Sequence, residues 1–248
     1  MQKIAIITGA SRGIGAATAQ RLAAEKYDVC VNYNSQQEAA EAVADKVRAY
    51  GCKAIVVQAD IANEQQVAQL FETVDRDLGR PTVLVNNAGI LFPQARLTEM
   101  DAQRINRLLA VNVTGYFLCC QQAVLRMSTR HGGKGGVIVN VSSAAARLGS
   151  PGEYIDYAAS KGAVDTLTIG LAAEVAQEGI RVNAVRPGLI YTDIHASAGE
   201  PGRVDRLKQS LPLGRGGRPD EVASAIAFLV SSESSYTTGA FIEVSGGR

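Results

Sequence analysis

The sequence predicts one α/β domain built on a doubly wound parallel sheet of about seven strands, with helices on both faces. Short apolar runs rich in β-branched residues alternate with helical stretches along the 248-residue chain. Such runs are typical of strands buried on both faces, and repeated strand–helix–strand order favours a parallel sheet. The sequence contains no repeat, linker or low-complexity segment, so we expect a single domain over residues 1–248.

The individual elements follow from the same patterns. Strands are expected over residues 3–8, 28–33, 53–60, 82–85, 137–141, 180–185 and 240–244, and helices over about residues 16–27, 36–50, 64–78, 101–130, 157–177 and 220–230. In the second helix an apolar stripe predicts the buried face, formed by Ala40, Val43, Val47 and Tyr50. Ligands of such sheets bind beyond the carboxyl ends of the strands, so functional residues are expected there.

Composition argues against several classes of protein. The net charge of +1 gives no electrostatic case for a nucleic-acid or membrane partner. No apolar run reaches the ~18 residues of a membrane span, and the first strand leaves no room for a signal peptide, so we expect a cytoplasmic protein. The four cysteines form no C-x-x-C and the two histidines lie far apart, so no metal site is predicted and reduced thiols are expected.

A glycine turn follows the first strand. Residues 9–15 read GASRGIG, with Gly9, Gly13 and Gly15 between an apolar strand and a helix. This junction brings backbone N–H groups and the positive end of a helix together, which suits a pyrophosphate. The spacing is neither the G-x-G-x-x-G dinucleotide fingerprint nor a P-loop, and an ordinary glycine-rich loop is the alternative. Its position nevertheless predicts a dinucleotide site.

Tyr157 and Lys161 lie four residues apart in a predicted helix and therefore share a face. A lysine ammonium there would lower the pKa of the phenol from its usual ~10, so that Tyr157 could exchange a proton near neutral pH. Two such residues alone more often belong to a solvated helix face. The glycine turn and the serine pair Ser142 and Ser143 favour the catalytic interpretation.

Small or polar residues follow four of the predicted strands. Asp60 ends the third strand, residues 86–89 (NNAG) the fourth, Ser142 and Ser143 the fifth, and residues 187–188 follow the sixth. Each could be turn chemistry alone. Their joint placement at one edge of the sheet predicts a single site.

With these features together, the chain resembles the short-chain dehydrogenase/reductase family over its full length. The matching segments are TGASRGIG at 8–15, Asp60-Ile61, NNAG at 86–89, Asn112, Ser143, YAASK at 157–161, PGLIYT at 187–192 and TTGAFIEVSGG near the end. The members that it resembles most are bacterial glucose-dehydrogenase-like and 3-oxoacyl-carrier-protein-reductase-like enzymes. The resemblance implies a Rossmann-like fold and hydride transfer between nicotinamide and a carbonyl or alcohol, without a metal.

The resemblance also implies residue roles. Tyr157 would be the general acid/base, and Lys161 would lower its pKa and bind the nicotinamide ribose. Ser143 would hydrogen-bond the substrate oxygen, and Asn112 would hold a water in a proton relay. Ser142 stays an alternative to Ser143, because the interval of 14 residues to Tyr157 is one longer than the family leads us to expect. The implied cofactor-binding residues are Gly9, Ser11, Arg12, Gly13, Ile14, Gly15, Asn32, Asn34, Ser35, Asp60, Ile61, Asn86, Ala88, Gly89, Tyr157, Lys161, Pro187, Gly188, Ile190 and Thr192.

The segment after the second strand favours NADP(H) over NAD(H). An NAD site usually places an acidic residue there to hold the ribose 2′-hydroxyl. Residues 31–35 read VNYNS, and the next carboxylate is Glu38, inside the following helix. Arg12 could pair with a 2′-phosphate bidentately, the alternatives being that it packs on the adenine or points to solvent.

Three further expectations concern substrate, assembly and alternative functions. Residues 194–213, which include His195, are expected to form a mobile substrate lid, although the sequence does not name the substrate.

The resemblance implies a homotetramer that pairs helices 101–130 and 157–177 and the last strand. The alternatives are a non-catalytic dinucleotide-sensing protein, against which the intact Ser-Tyr-Lys-Asn set argues, and an S-adenosylmethionine methyltransferase, in which Tyr157 and Lys161 have no role.

Overall fold

Seven parallel strands form one sheet in the order β3-β2-β1-β4-β5-β6-β7 in the computed structural model, which describes residues 3–248. The strands are β1 (Ile4–Ile7), β2 (Asp28–Tyr33), β3 (Ala54–Gln58), β4 (Val83–Asn86), β5 (Gly136–Val141), β6 (Ile180–Pro187) and β7 (Phe241–Val244). The strand order reverses between β1 and β4. This topological switch point opens a crevice at the carboxyl ends of the strands, where such sheets bind ligands.

Helices cover both faces of the sheet, and the doubly wound α/β fold is confirmed. In chain order they are α1 (Gly13–Ala24), α2 (Gln37–Ala49), α3 (Glu64–Asp77), α4 (Ala102–Leu109), α5 (Gly115–Met127), α6 (Ala145–Leu148), α7 (Ile155–Val175), α8 (Ile194–Ser197), α9 (Arg203–Leu207) and α10 (Pro219–Val230). One apolar cluster packs α1, α2 and α10 on one face, and a second packs α3, α5 and α7 on the other.

The first strand illustrates how the sequence fills both clusters. Ala5 and Ile7 enter the cluster under α1, and Ile4 and Ile6 enter the cluster under α5. Successive side chains of a strand point to opposite faces, so a strand buried on both faces must be apolar throughout. The uninterrupted apolar run therefore marks an interior strand of the sheet.

Two sequence expectations about helices need correction. The long helix expected over 101–130 is interrupted by a π-helical segment, Ala110–Thr114, between α4 and α5, and it ends at Met127. An apolar pattern does not reveal such a local widening, which often marks a functional site. Tyr50 is also not part of the buried stripe of α2: it is 44% exposed, because the helix ends one residue before it.

The helical stretch Ala102–Met127 is long and apolar enough to cross a membrane by length and composition alone, although no such segment was expected from the sequence. Within it, Tyr116, Cys119 and Ala123 are buried in the cluster against the sheet. Core helices of globular proteins pass the same test of length and hydropathy.

A buried ion pair joins α4 to the first turn of α7. Arg104 Nε donates to Asp156 Oδ2 at 2.8 Å, and the Asp156 side chain is 2% exposed. The second carboxylate oxygen of Asp156 accepts the backbone N–H of Tyr157 at 2.9 Å. Arg104 also donates to the Pro93 carbonyl at 2.7 Å. This pair therefore fixes the start of the helix that carries Tyr157.

We expect Arg104→Ala to lower the free energy of unfolding by roughly 3 kcal/mol, because it leaves the Asp156 carboxylate buried without its partner. Urea denaturation measures the change. Arg76→Ala is the control, since Arg76 and Asp77 form an exposed pair, and its unfolding midpoint should equal that of the wild type. Equal midpoints for Arg104→Ala and the wild type would contradict the assignment.

Candidate functional site

A cleft of about 880 Å³ opens at the carboxyl ends of the strands, at the switch point. It lies within the size range of small-molecule and cofactor sites. Most residues predicted for the site line it: Gly9, Ser11, Arg12, Gly13, Ile14, Asn32, Asn34, Ser35, Asp60, Ile61, Ala88, Gly89, Ser142, Ser143, Tyr157, Lys161, Pro187, Gly188, Ile190 and Thr192. The other predicted residues, Gly15, Asn86 and Asn112, do not line the cleft.

The glycine turn leaves the first turn of α1 open to the cleft. Gly9 and Gly13 have φ of +61° and +56°, and a Cβ on Gly9 would lie 2.8 Å from the Ala88 Cα. Asn32 Oδ1 accepts the Gly9 N–H at 3.2 Å, which holds the turn in place. The first turn of α1 contains no acidic side chain and has no side-chain cap. Its free N–H groups can therefore receive an anion.

Gly15 and Asn87 hold this turn against the rest of the sheet. A Cβ on Gly15 would lie 2.5 Å from Asn87 Nδ2, so this glycine permits close packing and does not line the cleft. Asn87 Nδ2 donates to the carbonyls of Thr8 and Gly9 at 2.9 and 3.0 Å. Asn87 is absent from the predicted set, although the sequence NNAG offered it as readily as its neighbour.

Asn86 does not contact the cleft, contrary to expectation. Its side chain is fully buried, and Nδ2 donates to Asn140 Oδ1 at 3.0 Å and to Cys120 Sγ at 3.2 Å. Asn86 is the last residue of β4, so side-chain alternation turns it toward α5. The residue after it, Asn87, points to the glycine turn.

Ser143 lies beside Tyr157, and Ser142 does not. The Ser143 hydroxyl hydrogen-bonds the Tyr157 phenol and accepts the Ala145 N–H at 3.1 Å. Ser142 is 2% exposed, and its hydroxyl donates to Asp165 Oδ1 at 2.6 Å. The geometry therefore favours Ser143 over Ser142 as the serine that could reach a substrate oxygen at Tyr157.

Lys161 is buried under the phenol. Its Nζ donates to the Val141 carbonyl at 2.8 Å and to the Tyr116 hydroxyl at 3.3 Å, and it lies 5.7 Å from the centre of the Tyr157 ring. Tyr116 in turn donates to the same carbonyl at 3.1 Å. Sequence reasoning missed Tyr116, which follows Asn112 by one helical turn and resembles an ordinary core aromatic.

Asn112 lies in the π-helical segment and is fully buried. Its Oδ1 accepts the Ile90 N–H at 2.8 Å, and its Nδ2 donates to the Ile90 carbonyl at 3.0 Å and to Ser160 Oγ at 3.3 Å. Both polar atoms of the amide therefore have protein partners. It joins the loop after β4 to α7, and it does not reach the cleft as the water-binding role had led us to expect.

Burial shifts the pKa values of Tyr157 and Lys161 so that the neutral form of each side chain is favoured. It raises the pKa of Tyr157 to about 12, against a smaller lowering by the hydrogen bond with Ser143. It lowers the pKa of Lys161 to about 7, against the attraction of Asp165. Lys161 is not among the causes of the shift of the Tyr157 pKa, so its role in lowering that pKa stays a prediction.

At one end of the cleft, Arg12 is exposed at the N-terminus of α1, near the exposed residues Asn34 and Ser35. Among the described residues, no carboxylate pairs with Arg12. Asp60 is held by Arg107, whose Nη2 lies 2.9 Å from Oδ2, so that both charges of this pair border the cleft. This end is thus polar without an unpaired negative charge.

The other end of the cleft lies between Tyr157 and the segment of α8 and α9. Leu91, Tyr154 and Ile194 form a small apolar cluster beside Tyr157. His195 borders the cleft, burial lowers its pKa, and its Nδ1 has no hydrogen-bond partner among residues 3–248.

The segment of α8 and α9 is attached to the loop before α7 by ion pairs. The buried Arg203 guanidinium pairs with Glu153, and it pairs with Glu200 at 2.8 Å. Val204 and Leu211 pack on Leu189, with Leu207 at the edge. The amphipathic pattern of this segment thus corresponds to a small separate cluster.

Lys161 gives a testable pH dependence of stability. Its pKa falls from 10.5 to about 7 on folding, so between these values the unfolded chain binds a proton that the folded chain has lost. Stability should therefore rise from pH 7 toward pH 10, since the unfolded state binds more protons in this window. Urea denaturation across this range should show the rise in the wild type and a weaker one in Lys161→Met. Lys46→Met, at an exposed position of α2, should keep the wild-type dependence. An unchanged slope in Lys161→Met would contradict the assignment.

The sequence is similar to those of known oxidoreductases. A family model described as enoyl-(acyl carrier protein) reductase matches residues 9–248. An uncharacterized oxidoreductase of Escherichia coli strain K12, YgfF, is 59% identical over 245 residues, which cover 99% of both chains. A 3-oxoacyl-acyl-carrier-protein reductase, FabG, of Staphylococcus aureus strain Mu50 is 39% identical over 247 residues, 100% of this chain and 98% of the relative.

Solved structures agree. A short-chain type dehydrogenase/reductase from Mycobacterium marinum superposes with a TM-score of 0.92 at 35% identity and covers 99% of this chain and 94% of that one. A short-chain dehydrogenase from Burkholderia cenocepacia J2315, in complex with NADP, gives a TM-score of 0.90 at 36% identity, with coverage of 99% and 97%. The chain therefore belongs to the short-chain dehydrogenase/reductase family, as a member similar to 3-oxoacyl-acyl-carrier-protein reductases, and is an NAD(P)-dependent oxidoreductase.

Proposed function

We propose that the chain is an NADP(H)-dependent carbonyl reductase or alcohol dehydrogenase in which Tyr157 is the general acid/base. The observation that carries the proposal is the convergence of three side chains at one point of the cleft. The Tyr157 phenol is hydrogen-bonded to Ser143, and the Lys161 amine lies buried beneath its ring.

The residues of the cleft fit a dinucleotide. The open N-terminus of α1 suits its phosphates, and Gly9 and Gly13 keep the turn clear of side chains that would hold them away. Lys161 and Tyr157 would bind the nicotinamide ribose, with Ile190 and Thr192 beside the carboxamide. When bound, the cofactor supplies or accepts the hydride, and the protein contributes position and proton transfer.

The proton chemistry falls to Tyr157 and Ser143. Negative charge grows on the carbonyl oxygen during reduction, and both hydroxyls would donate hydrogen bonds to it. Tyr157 would then transfer its proton to that oxygen, or remove one from an alcohol in the reverse direction. Lys161 favours the tyrosinate only while it is charged, so an anionic ligand in the cleft would help by keeping its ammonium form.

We propose that Asn112 takes part indirectly. Both polar atoms of its amide have protein partners in Ile90 and Ser160. A Cβ on Gly89, the neighbour of Ile90, would lie 3.8 Å from Lys161 Nζ. Asn112 would therefore hold the loop beside Lys161 in place.

The preference for NADP(H) rests on the charge of the adenosine end. Arg12 is an exposed cation, and the exposed residues Asn34 and Ser35, which carry an amide and a hydroxyl group, line the same cleft. A 2′-phosphate there would meet a guanidinium and no competing carboxylate. The relative from Burkholderia cenocepacia is a complex with NADP, which agrees with this preference.

We further propose a cytoplasmic homotetramer with a lid over residues 194–213. Three large apolar side chains of α5 and α7 are exposed: Phe117 at 52%, Leu125 at 46% and Ile169 at 56%. Phe117 and Leu125 border an apolar groove between these helices, which a second copy would cover. Leu108 and Ala172, suggested by the helix pattern, are core residues and would not take part.

The alternative of a non-catalytic dinucleotide-sensing protein is not favoured by relatives that bear oxidoreductase names. Assaying a panel of sugars, β-ketoacyl thioesters, steroids and simple ketones with NADPH decides between the two. Turnover of any member supports the proposed function, and cofactor binding without turnover would support the alternative.

Tyr157→Phe should reduce kcat by roughly 10²–10⁴-fold, because the substitution removes only the transferable proton. Binding of NADPH, followed by its fluorescence, should stay close to that of the wild type. Tyr191→Phe is the matched control: this tyrosine is exposed, its hydroxyl bonds Asp205, and its loss should leave kcat unchanged. More than about a tenth of wild-type kcat in Tyr157→Phe would refute the general acid/base role.

Arg12→Ala should weaken NADPH binding about tenfold or more and leave NADH binding nearly unchanged, since only the former carries the 2′-phosphate that the guanidinium would bind. Titrations with both cofactors measure the ratio. Arg21→Ala, near the far end of α1 and paired with Glu25, should alter neither affinity. A wild-type kcat/KM higher with NADH, or an equal loss for both cofactors, would overturn the preference.

Light scattering at micromolar concentration should give the mass of a tetramer. Phe117→Glu should shift it to smaller species, because a carboxylate would be buried in the proposed interface. Tyr50→Glu, at a similarly exposed aromatic just after α2, should leave the tetramer intact. A wild-type monomer would refute the assembly.

A further inference from the structure

One face of α7 carries a third ionisable residue after Tyr157 and Lys161. Asp165 follows Lys161 by four residues, as Lys161 follows Tyr157, so the three side chains lie in one row along the helix. The Asp165 side chain is 13% exposed. None of the roles proposed above involves this carboxylate.

The first oxygen of Asp165 binds the end of β5. Ser142 Oγ donates to Asp165 Oδ1 at 2.6 Å and lies 3.3 Å from the carbonyl oxygen of Lys161. Ser142 immediately precedes Ser143, the serine that bonds the Tyr157 phenol. Asp165 thus joins the helix that bears Tyr157 and Lys161 to the strand end that bears Ser143.

The second oxygen of Asp165 binds β6. Arg186 Nη2 and Nε lie 2.8 and 3.0 Å from Asp165 Oδ2. Arg186 stacks over the Phe241 ring at 3.9 Å, and its Nη1 donates to Glu243 on β7 at 2.9 Å. One carboxylate therefore connects α7 with the ends of β5 and β6, and through Arg186 with β7.

Asp165 is also the carboxylate that acts on Lys161. The groups that face the amine are the Val141 carbonyl of β5, the Tyr116 hydroxyl of α5 and, from α7 itself, the Tyr157 ring. Burial raises the pKa of both phenols, which are therefore neutral at physiological pH. Asp165 attracts the ammonium and opposes its desolvation, while Arg186 beyond it offsets part of that attraction.

We propose that Asp165 is a positioning residue of the active site, whose carboxylate favours the ammonium form of Lys161 and holds α7 in register with the end of β5. The proposal rests on the function proposed above, in which a charged Lys161 favours the tyrosinate of Tyr157. Ser142 acquires a role by the same geometry: it is the hydrogen-bond link between Asp165 and the strand, while Ser143 faces the cleft.

Asp165→Asn tests the proposal, because asparagine keeps the shape and can still accept from Ser142 but has no charge. The chain has seven lysines, so Lys161 can be followed by NMR in protein labelled at lysine Cε, with Lys161→Arg assigning its resonance. We expect the pKa of Lys161 to fall by on the order of one unit in Asp165→Asn. The alkaline limb of the pH profile of kcat/KM should move to lower pH by a similar amount.

Two variants separate charge from packing. Ser142→Ala removes the hydrogen bond and keeps the carboxylate, so it should lower kcat at all pH values and leave the Lys161 titration in place. Arg186→Gln removes the cation that offsets Asp165, so it should raise the pKa of Lys161, and it can be measured even if Asp165→Asn fails to fold. A Lys161 titration that Asp165→Asn leaves unmoved, or that Arg186→Gln lowers or leaves unmoved, overturns the proposal.

The titration does not depend on turnover. A wild-type chain without activity on any carbonyl would refute the proposed function and leave the measured effect of Asp165 on Lys161 intact. Conversely, an active enzyme in which Asp165→Asn changes neither the Lys161 titration nor the pH profile would refute only the positioning role.

Discussion

An amine buried at the end of a parallel strand is the constraint on which the rest of the site depends. Lys161 is 3% exposed, and water is replaced around its Nζ by the Val141 carbonyl and the Tyr116 hydroxyl. A buried ammonium is costly unless it is hydrogen-bonded and compensated by charge. The elements that meet here, β5, α5 and α7, supply those groups, and their packing fixes where Tyr157 and Ser143 can stand.

The opposite pKa shifts of Tyr157 and Lys161 have one cause. Each group is removed from water, so the acid holds its proton more tightly and the base releases its proton more easily. A dyad of this kind resists ionisation until charge enters the cleft. Its proton affinity is therefore set by what is bound beside it as well as by the protein.

The fold and much of the site could be predicted from the sequence, because both depend on local periodicity and on residue types at strand ends. The apolar runs located every strand, and most residues implied by the family motifs line the cleft.

The predictions that were wrong or missing share a physical origin. Asn86 and Asn87 differ only by the alternation of a strand end, and Asn112 sits in a π-helical segment that no 3.6-residue period reveals. Tyr50 was misplaced because the end of α2 lies one residue before it. Tyr116 and Asp165 act through contacts between distant segments, which one sequence does not encode locally.

The strand order also bears on how the chain reaches this structure. Neighbours in the middle of the sheet are far apart in sequence: Ile4 of β1 hydrogen-bonds Thr82, just before β4, across 78 residues. Long loops must close before such contacts form, and topologies of this kind fold slowly. The cleft draws its walls from the segments after the first six strands, so it can exist only when the sheet is nearly complete. A partly folded chain would expose apolar strand edges before it could bind any ligand. A ligand of the cleft would therefore bind only the folded chain and stabilise it.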